Sequence, residues 1–158
     1  MSLDSGVLVA SVKKRGEVYH DSCLELSSLV SSIRHSAVAS ALILTEVPGA
    51  LASSTSMPVE KIYISEVSIQ ENFSLKILPF EPYIERAVDL MFEFRELKRR
   101  LRIGSADFHH VATGVGEGSD LFVTTDERHL LNNESRDKFG RYIRIVNPKE
   151  ALELLKAH

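Results

Sequence analysis

The amino-acid sequence predicts an α/β fold in which a parallel β-sheet carries helices on both faces. Short apolar segments alternate with longer segments of helical periodicity, in the rough order β-α-α-β-α-α-β-α-α-β-α-β-α. The segment 120–125 (DLFVTT) is short and apolar, as is typical of a buried parallel strand. A length of 158 residues, with 44% apolar and 26% charged residues and no low-complexity linker or repeat, suits one domain with a sizeable core.

The first half of the chain predicts two strands and four helices. The first strand ends at Asp4 and is so short that we expect its natural beginning to be truncated or replaced. A helix follows it and is stopped by Gly16. The next elements are a helix over 20–33, a strand over 36–40, a helix over 41–51 and a helix over 58–72. Pro48 is expected to bend or restart the helix over 41–51, because its nitrogen cannot donate a hydrogen bond to the preceding turn.

The second half predicts three strands, over 73–80, 120–125 and 142–146. The longest helix is predicted over 81–100, and its core-facing residues are expected to be Ile84, Val88, Met91, Phe92 and Leu97. Ser105 is predicted as the N-cap of the next helix, and Pro148 opens a C-terminal one.

The composition excludes several classes of protein. A single cysteine, Cys23, rules out a disulfide framework within the chain, and we expect it to be a core residue. No apolar run is long enough to span a bilayer, so we expect a cytoplasmic protein without a membrane partner. A net charge of −3 argues against a protein that coats nucleic acid non-specifically, so any contact with nucleic acid depends on local basic patches.

The stretch 105–131 places two carboxylates around a helix, a glycine-containing turn and a short strand. Asp107 falls in the first turn of the helix, near the positive end of its dipole. Asp126 follows the strand at its C-terminal end, the edge of an open α/β sheet where ligands bind. The two carboxylates can converge there, which suggests a metal site.

Four segments resemble the motifs of PIN domain nucleases, in particular the VapC-type toxins of prokaryotic toxin-antitoxin pairs. They are 4–9 (DSGVLV), 45–47 (TEV), 106–113 (ADFHHVAT) and 123–126 (VTTD). They occur in the family's order and span nearly the whole chain. The chain departs from the pattern at His109, where the family usually has an apolar residue, whereas His110 matches a common histidine.

The resemblance implies a single three-layer α/β/α PIN-like domain over 1–158. It also implies a catalytic pocket that holds Mg²⁺ or Mn²⁺ and is formed by Asp4, Glu46, Asp107 and Asp126. Ser5 and Thr124 match supporting polar positions of the family near this pocket.

The expected chemistry also follows from the residue types. Clustered carboxylates repel one another, and a hard divalent cation with oxygen ligands makes such a cluster tolerable. One or two such ions can orient a water and neutralise charge on a phosphodiester, which gives in-line hydrolysis without a covalent intermediate. We interpret Asp4, Asp107 and Asp126 as direct or water-mediated ligands. Glu46 is interpreted as a ligand or as a residue that positions the attacking water.

Each of these residues also has a local explanation. Asp126 alone is better explained as a helix N-cap, Asp107 as a favourable charge at a helix dipole, and Glu46 as a rim charge. Only the four acids together favour a metal site. His109 and His110 are interpreted as mainly structural or surface residues, because histidine is more often satisfied locally than catalytic.

Two basic clusters can contact an RNA backbone near the acidic pocket. They comprise Lys13, Lys14 and Arg15, and Lys98, Arg99, Arg100 and Arg102. The alternative, slightly favoured, is that both are solvated helix ends. A steep salt dependence of binding would indicate phosphate contacts.

The function favoured by these observations is that of a metal-dependent endoribonuclease, the toxin of a type II toxin-antitoxin pair. Its partners are expected to be an RNA substrate and a small antitoxin protein, and the resemblance implies a homodimer. One alternative is a PIN domain that binds RNA or protein without cutting, or a receiver-like signalling module. Another is an aspartate-based phosphatase or dehalogenase, suggested by 4–8 (DSGVL), which lacks the second Asp two residues on.

Overall fold

A computed structural model describes residues 1–33 and 36–157, and it contains one parallel sheet. Its five strands are β1 (Ser2–Leu3), β2 (Ala37–Ser40), β3 (Leu75–Leu78), β4 (Leu121–Val123) and β5 (Arg144–Val146). Their spatial order is β3-β2-β1-β4-β5, with every neighbouring pair parallel. The chain therefore starts in the middle of the sheet and winds outward on both sides, which brings the C-terminal ends of β1, β2 and β4 to one edge.

Helices connect the strands. They are α1 (Ser5–Val12), α2 (His20–Ile33), α3 (Ile43–Ser54), α4 (Val59–Asn72), α5 (Ile84–Glu93), α6 (Arg95–Leu101), α7 (Ser105–Gly116), α8 (Asn133–Phe139) and α9 (Pro148–Lys156). A single 3₁₀ turn over Glu81–Tyr83 precedes α5. The predicted three-layer α/β/α fold is therefore confirmed.

Successive residues of β2 and β4 point into two different cores. Ala37 and Ala39 of β2 pack with α1 to α4 and α9, whereas Val38 between them packs with α5 to α8. In β4, Val123 packs into the same core as Ala37 and Ala39, whereas Phe122 packs into the same core as Val38. This period of two shows that both faces of the sheet are covered, which explains why its strands are almost wholly apolar.

The prediction of one helix over 81–100 is wrong. The segment consists of the 3₁₀ turn, α5 and α6, and the last two are separated at Phe94, which has φ −105° and ψ 27°. The predicted core face is also wrong for most of its members, since the exposed fractions of Ile84, Val88 and Phe92 are 41%, 39% and 72%. Of the predicted set, Leu97 is buried and Met91 is partly buried.

The face of α5 that is buried contains Ala87 and Leu90, and Phe94 continues it past the end of the helix. Apolar residues cover more than half of the circumference of this helix, so periodicity alone does not identify its inner side. Ala87 lies on the buried side because α5 packs against α7, and a small side chain allows close approach of two helices.

Two smaller expectations also need correction. Pro48 does not restart the helix, because α3 is continuous on both sides of it. The N-cap of α7 is Gly104 rather than Ser105, which places Asp107 at the third helical position. Within residues 1–33 and 36–157, no helix combines the length and the apolar character that crossing a membrane would require.

Candidate metal centre

Asp4 lies at the centre of the sheet edge, immediately after β1. Its backbone N–H donates to the carbonyl of Val123 at 3.0 Å, which continues the pairing of β1 with β4. Its carboxylate oxygen Oδ2 accepts a 2.6 Å hydrogen bond from the Thr124 hydroxyl. Only 7% of Asp4 is exposed, and burial raises the pKa of its carboxyl group, although the charge of His110 and the Thr124 hydrogen bond oppose that rise.

Asp107 approaches the same edge from the first turn of α7. Its Oδ2 accepts a 2.8 Å hydrogen bond from the backbone N–H of Gly104, so it caps its own helix. Burial raises the pKa of Asp107, and the negative charges of Asp4 and Asp126 raise it further. Three carboxylates from three separate parts of the chain are therefore close enough to repel one another.

Glu46 comes from the first turn of α3. Its Oε2 lies 2.6 Å from Nε2 of His110. Burial opposes ionisation of Glu46, but the hydrogen bonds from His110 and Ser5, with the charge of His110, outweigh it and lower the pKa of this carboxyl group. Ser5 also lies beside Asp4, with its hydroxyl 3.5 Å from Asp4 Oδ1. The predicted supporting position thus touches two of the acids.

Asp126 is held by its own loop. Its Oδ1 accepts from the backbone N–H groups of Arg128 and His129, both at 3.1 Å, and its Oδ2 lies 2.8 Å from His129 Nδ1. Its backbone N–H donates to the Thr124 hydroxyl at 3.1 Å. Residues 127–130 form a turn rather than a helix, so the alternative that Asp126 is a helix N-cap is wrong: its side chain caps a turn, and Thr124 links it to Asp4.

The four acids therefore meet at one edge of the sheet, and we refer to Asp4, Glu46, Asp107 and Asp126 as the carboxylate pocket. Within the described part of the chain, no three Asp, Glu, His or Cys side chains are grouped closely enough to hold one ion. Each acid instead takes a protein partner: a hydroxyl, a histidine or a backbone N–H.

The donor set fits a hard divalent cation. Carboxylate oxygens are the ligands that Mg²⁺ and Mn²⁺ prefer. Burial and the negative charges of neighbouring carboxylates raise the pKa values of Asp4 and Asp107. A cation between these side chains would offset that repulsion and favour their ionised forms. The pocket thus supplies ligands of a suitable chemical type.

His110 was missed as a site residue, whereas His109 is structural as predicted. His109 is 3% exposed, its ring stacks on Phe80, and its two nitrogens lie 3.0 Å from Ser40 Oγ and 2.9 Å from the Phe80 carbonyl. His110 instead faces the carboxylate pocket. The signal that could have identified it is its spacing of three residues from Asp107, which puts both side chains on one face of a helix.

The basic residues differ in their distance from the pocket. Lys13 and its neighbours follow the last turn of α1, nine or more residues after Asp4, and line a groove with 53–57 at the far ends of α1 and α3. At 1.5 Å per residue this separates them from Asp4 by about 14 Å along the helix. Lys13 is also paired with Glu17 at 2.8 Å.

The second basic cluster is partly neutralised. Arg99 pairs with Glu96 at 2.7 Å, and Arg100 pairs with Glu134. Arg102 ends α6 in a left-handed conformation at φ 58°, is exposed, and precedes Asp107 by five residues. Of the predicted RNA contacts, Arg102 is therefore the one nearest in sequence to the pocket.

Comparisons with known proteins identify the same fold. The model of the PIN domain family matches residues 1–133. A comparison with curated protein sequences gives no significant match.

Three solved structures share the architecture. The FitAcB structure from Neisseria gonorrhoeae has a TM-score of 0.59 at 18% identity, covering 93% of this chain and 96% of that one. VapBC2 from Rickettsia felis, bound to a DNA fragment from their promoter, has a TM-score of 0.58 at 17% identity, covering 92% and 96%. FitAB bound to the IR36 DNA fragment has a TM-score of 0.57 at 20% identity, covering 93% and 94%. At these identities the likeness concerns the fold alone.

Proposed function

Because the chain belongs to the PIN domain family, we propose that it is a metal-dependent endoribonuclease that hydrolyses RNA phosphodiesters at the carboxylate pocket. PIN domains are generally nucleases, which supports a hydrolase. The observation that carries the proposal is the convergence of acids from β1, α3, α7 and the loop after β4 at one sheet edge, with raised pKa values for Asp4 and Asp107. We propose one such domain over 1–158.

In this proposal Asp4, Asp107 and Asp126 hold Mg²⁺ or Mn²⁺, directly or through water. A bound cation would lower the pKa of the attacking water and neutralise the charge that develops on the phosphodiester. Glu46 completes the set as a further ligand of the cation, directly or through the water that it orients. Thr124 favours the ionised form of Asp4 and fixes this carboxylate through its 2.6 Å hydrogen bond, and Ser5 supports both Asp4 and Glu46.

The RNA is proposed to lie across the open side of the pocket. Arg102, after α6, and Arg128, after Asp126, are exposed and are proposed to contact its phosphates. Lys13, Lys14, Arg15, Arg99 and Arg100 remain proposed contacts for a longer substrate. Phosphate contacts of this kind make affinity fall with increasing salt concentration.

Protein partners form a second part of the proposal. The structural neighbours are complexes of two proteins that include DNA in two cases, and this supports an antitoxin partner for this chain. Helix α4 presents exposed Val59, Tyr63, Ile64 and Val67 at helical spacing, which suits an apolar helix of such a partner. We expect the toxin and its antitoxin to meet in the cytoplasm.

The homodimer is proposed to use α5. Phe92 protrudes from this helix with 72% of its surface exposed, and a groove of about 250 Å³ beside it is lined by apolar residues that include Leu42, Ile84, Val88 and Met91. A two-fold interface is self-complementary, so a protruding ring and an apolar groove on one face can serve both subunits at once.

Cleavage of a mixed RNA pool tests the catalytic proposal. The protein should cut RNA with Mg²⁺ or Mn²⁺, should stop when EDTA is added, and should lose cutting in Asp107→Asn. Folded protein that cuts with neither metal would favour the alternative of a PIN domain that binds RNA or protein without cutting. The engagement of Glu46 and Asp126 by histidines is the observation that keeps this alternative open.

A further inference from the structure

His110 is a buried histidine with a single protein partner, and that partner belongs to the carboxylate pocket. The side chain is 1% exposed and lies on α7, one turn after Asp107. Its Nε2 is 2.6 Å from Oε2 of Glu46. Within the described residues its other nitrogen, Nδ1, is buried and has no hydrogen-bond partner. In the part of the chain that the structure describes, Glu46 is therefore the hydrogen-bond partner of this ring.

The neighbouring His109 shows what a structural histidine in this helix looks like. Both of its nitrogens have partners outside the carboxylate pocket, and its ring stacks on Phe80 at 4.1 Å. His110 has neither a second partner nor an aromatic stack among the described residues. Burying a polar atom without a partner is costly, so the position of His110 is best explained by what it does for Glu46.

Glu46 needs such a partner to stay in the pocket. It reaches the sheet edge on a long side chain from α3, and 31% of that side chain is exposed. A carboxylate with access to water is better hydrated when it turns outward, and repulsion by nearby negative charges such as Asp4 favours the same movement. A charge-assisted hydrogen bond from a buried N–H group opposes both tendencies.

We propose that His110 is a positioning residue that holds the Glu46 carboxylate in the pocket and thereby sets the pocket's affinity for a divalent cation. The inference rests on the proposed function, because it concerns the same site. Residues that orient metal ligands without touching the metal typically change metal affinity or activity by about 10- to 100-fold. The charged and titratable groups that face His110 are Asp4, Glu46, Asp107 and His109.

Binding of Mn²⁺ measured by calorimetry tests the inference. His110→Leu fills the space without a donor and should weaken binding by about 10- to 100-fold, whereas His110→Gln keeps an N–H donor and should retain most of the affinity. In a Glu46→Ala background, His110→Leu should cause no further loss, because its partner is already gone. His109→Gln is the matched control and should leave Mn²⁺ affinity unchanged.

Two results would overturn the inference. One is a loss of Mn²⁺ affinity that is equal in His110→Leu and His110→Gln and proportional to the loss of thermal stability in each variant. The other is a full additional loss in the Glu46→Ala background, which would mean that His110 acts independently of Glu46.

A measurement on metal-free protein separates this inference from the proposed function. In protein labelled with ¹⁵N-histidine, the Nε2 proton of His110 should exchange slowly in the wild type and rapidly in Glu46→Ala. Rapid exchange in the wild type would overturn the positioning role whether or not the protein binds Mn²⁺. Slow exchange without any Mn²⁺ binding would instead overturn the proposed metal site and leave the hydrogen bond intact.

Discussion

The Thr124 hydroxyl donates a 2.6 Å hydrogen bond to Asp4 and accepts one of 3.1 Å from the backbone N–H of Asp126. One buried hydroxyl therefore joins two acids that are 122 positions apart in the sequence. It fixes the loop after β4 against the end of β1, so that the two carboxylates stand at one edge of the sheet.

We expect Thr124→Val to destabilise the protein by roughly 1–3 kcal/mol, because a similar shape is kept while a buried carboxylate loses its donor. Mn²⁺ binding should weaken as well, since Asp4 loses the group that orients it. Urea unfolding and Mn²⁺ calorimetry provide the two measurements. Thr124→Ser restores the hydroxyl and should recover the affinity, and its failure to do so would contradict the role given to the hydrogen bond.

The raised pKa of Asp4 predicts a pH dependence of stability. A carboxyl group whose pKa is raised in the folded state contributes stability that is fully present below its unfolded pKa of about 3.8 and is lost as the pH rises through the folded value. Metal-free protein should therefore be stabilised by Asp4→Asn at neutral pH, and much less so near pH 4. Denaturation in EDTA at several pH values measures this difference. An Asp4→Asn variant less stable than the wild type at neutral pH would contradict it.

Gly114 is predicted to be essential for the placement of α7. A Cβ at this position would lie 2.8 Å from Ser2 Cβ and 2.9 Å from Ile143 Cδ1, so the helix would have to move away from β1. We expect Gly114→Ala to cost roughly 1–3 kcal/mol. It should also weaken Mn²⁺ binding, because α7 positions Asp107.

Gly49 provides the matched control for that substitution. It lies in α3, is exposed, and has nothing within 4 Å of the added Cβ. Gly49→Ala should stabilise the protein by roughly 0.5–1 kcal/mol, because alanine loses less conformational entropy in a helix. Similar destabilisation by both substitutions would refute the packing argument for Gly114.

The proposed dimer predicts that Phe92→Asp yields a monomer with nearly unchanged unfolding free energy, because the ring is mostly exposed within one chain. Light scattering coupled to size-exclusion chromatography gives the mass in solution. Tyr63→Asp, on α4, should leave that mass unchanged. A monomeric wild type, or a dimer that survives Phe92→Asp, would exclude this face as the interface.

Much of the fold could be predicted because the strands are covered on both faces and therefore read as short apolar runs. The helix over 20–33 and the acids after β1 and β4 appear where the sequence indicated. The inner face of α5 could not be predicted, because Ile84 and Val88 are as apolar as the buried Ala87 and Leu90. Periodicity identifies an apolar stripe but does not say whether this chain or another covers it.

The site was harder to predict than the fold. The positions of Asp4 and Asp107 follow from the motifs, but their protein partners depend on contacts between distant segments. His110 illustrates the difficulty, because a histidine in an apolar helix usually packs as His109 does. Its 2.6 Å approach to Glu46, 64 positions away, is a contact that no local pattern in the sequence shows.

Binding of Mn²⁺ to the wild type, Asp107→Asn and Asp120→Asn tests the central claim most directly, since it needs no knowledge of the RNA target. Asp120 lies just before β4, at the opposite edge of the sheet from the carboxylate pocket, and is exposed. We predict that Asp107→Asn abolishes or strongly weakens binding whereas Asp120→Asn retains the wild-type affinity. Equal binding by all three proteins, or none by the folded wild type, would contradict a metal centre at this edge.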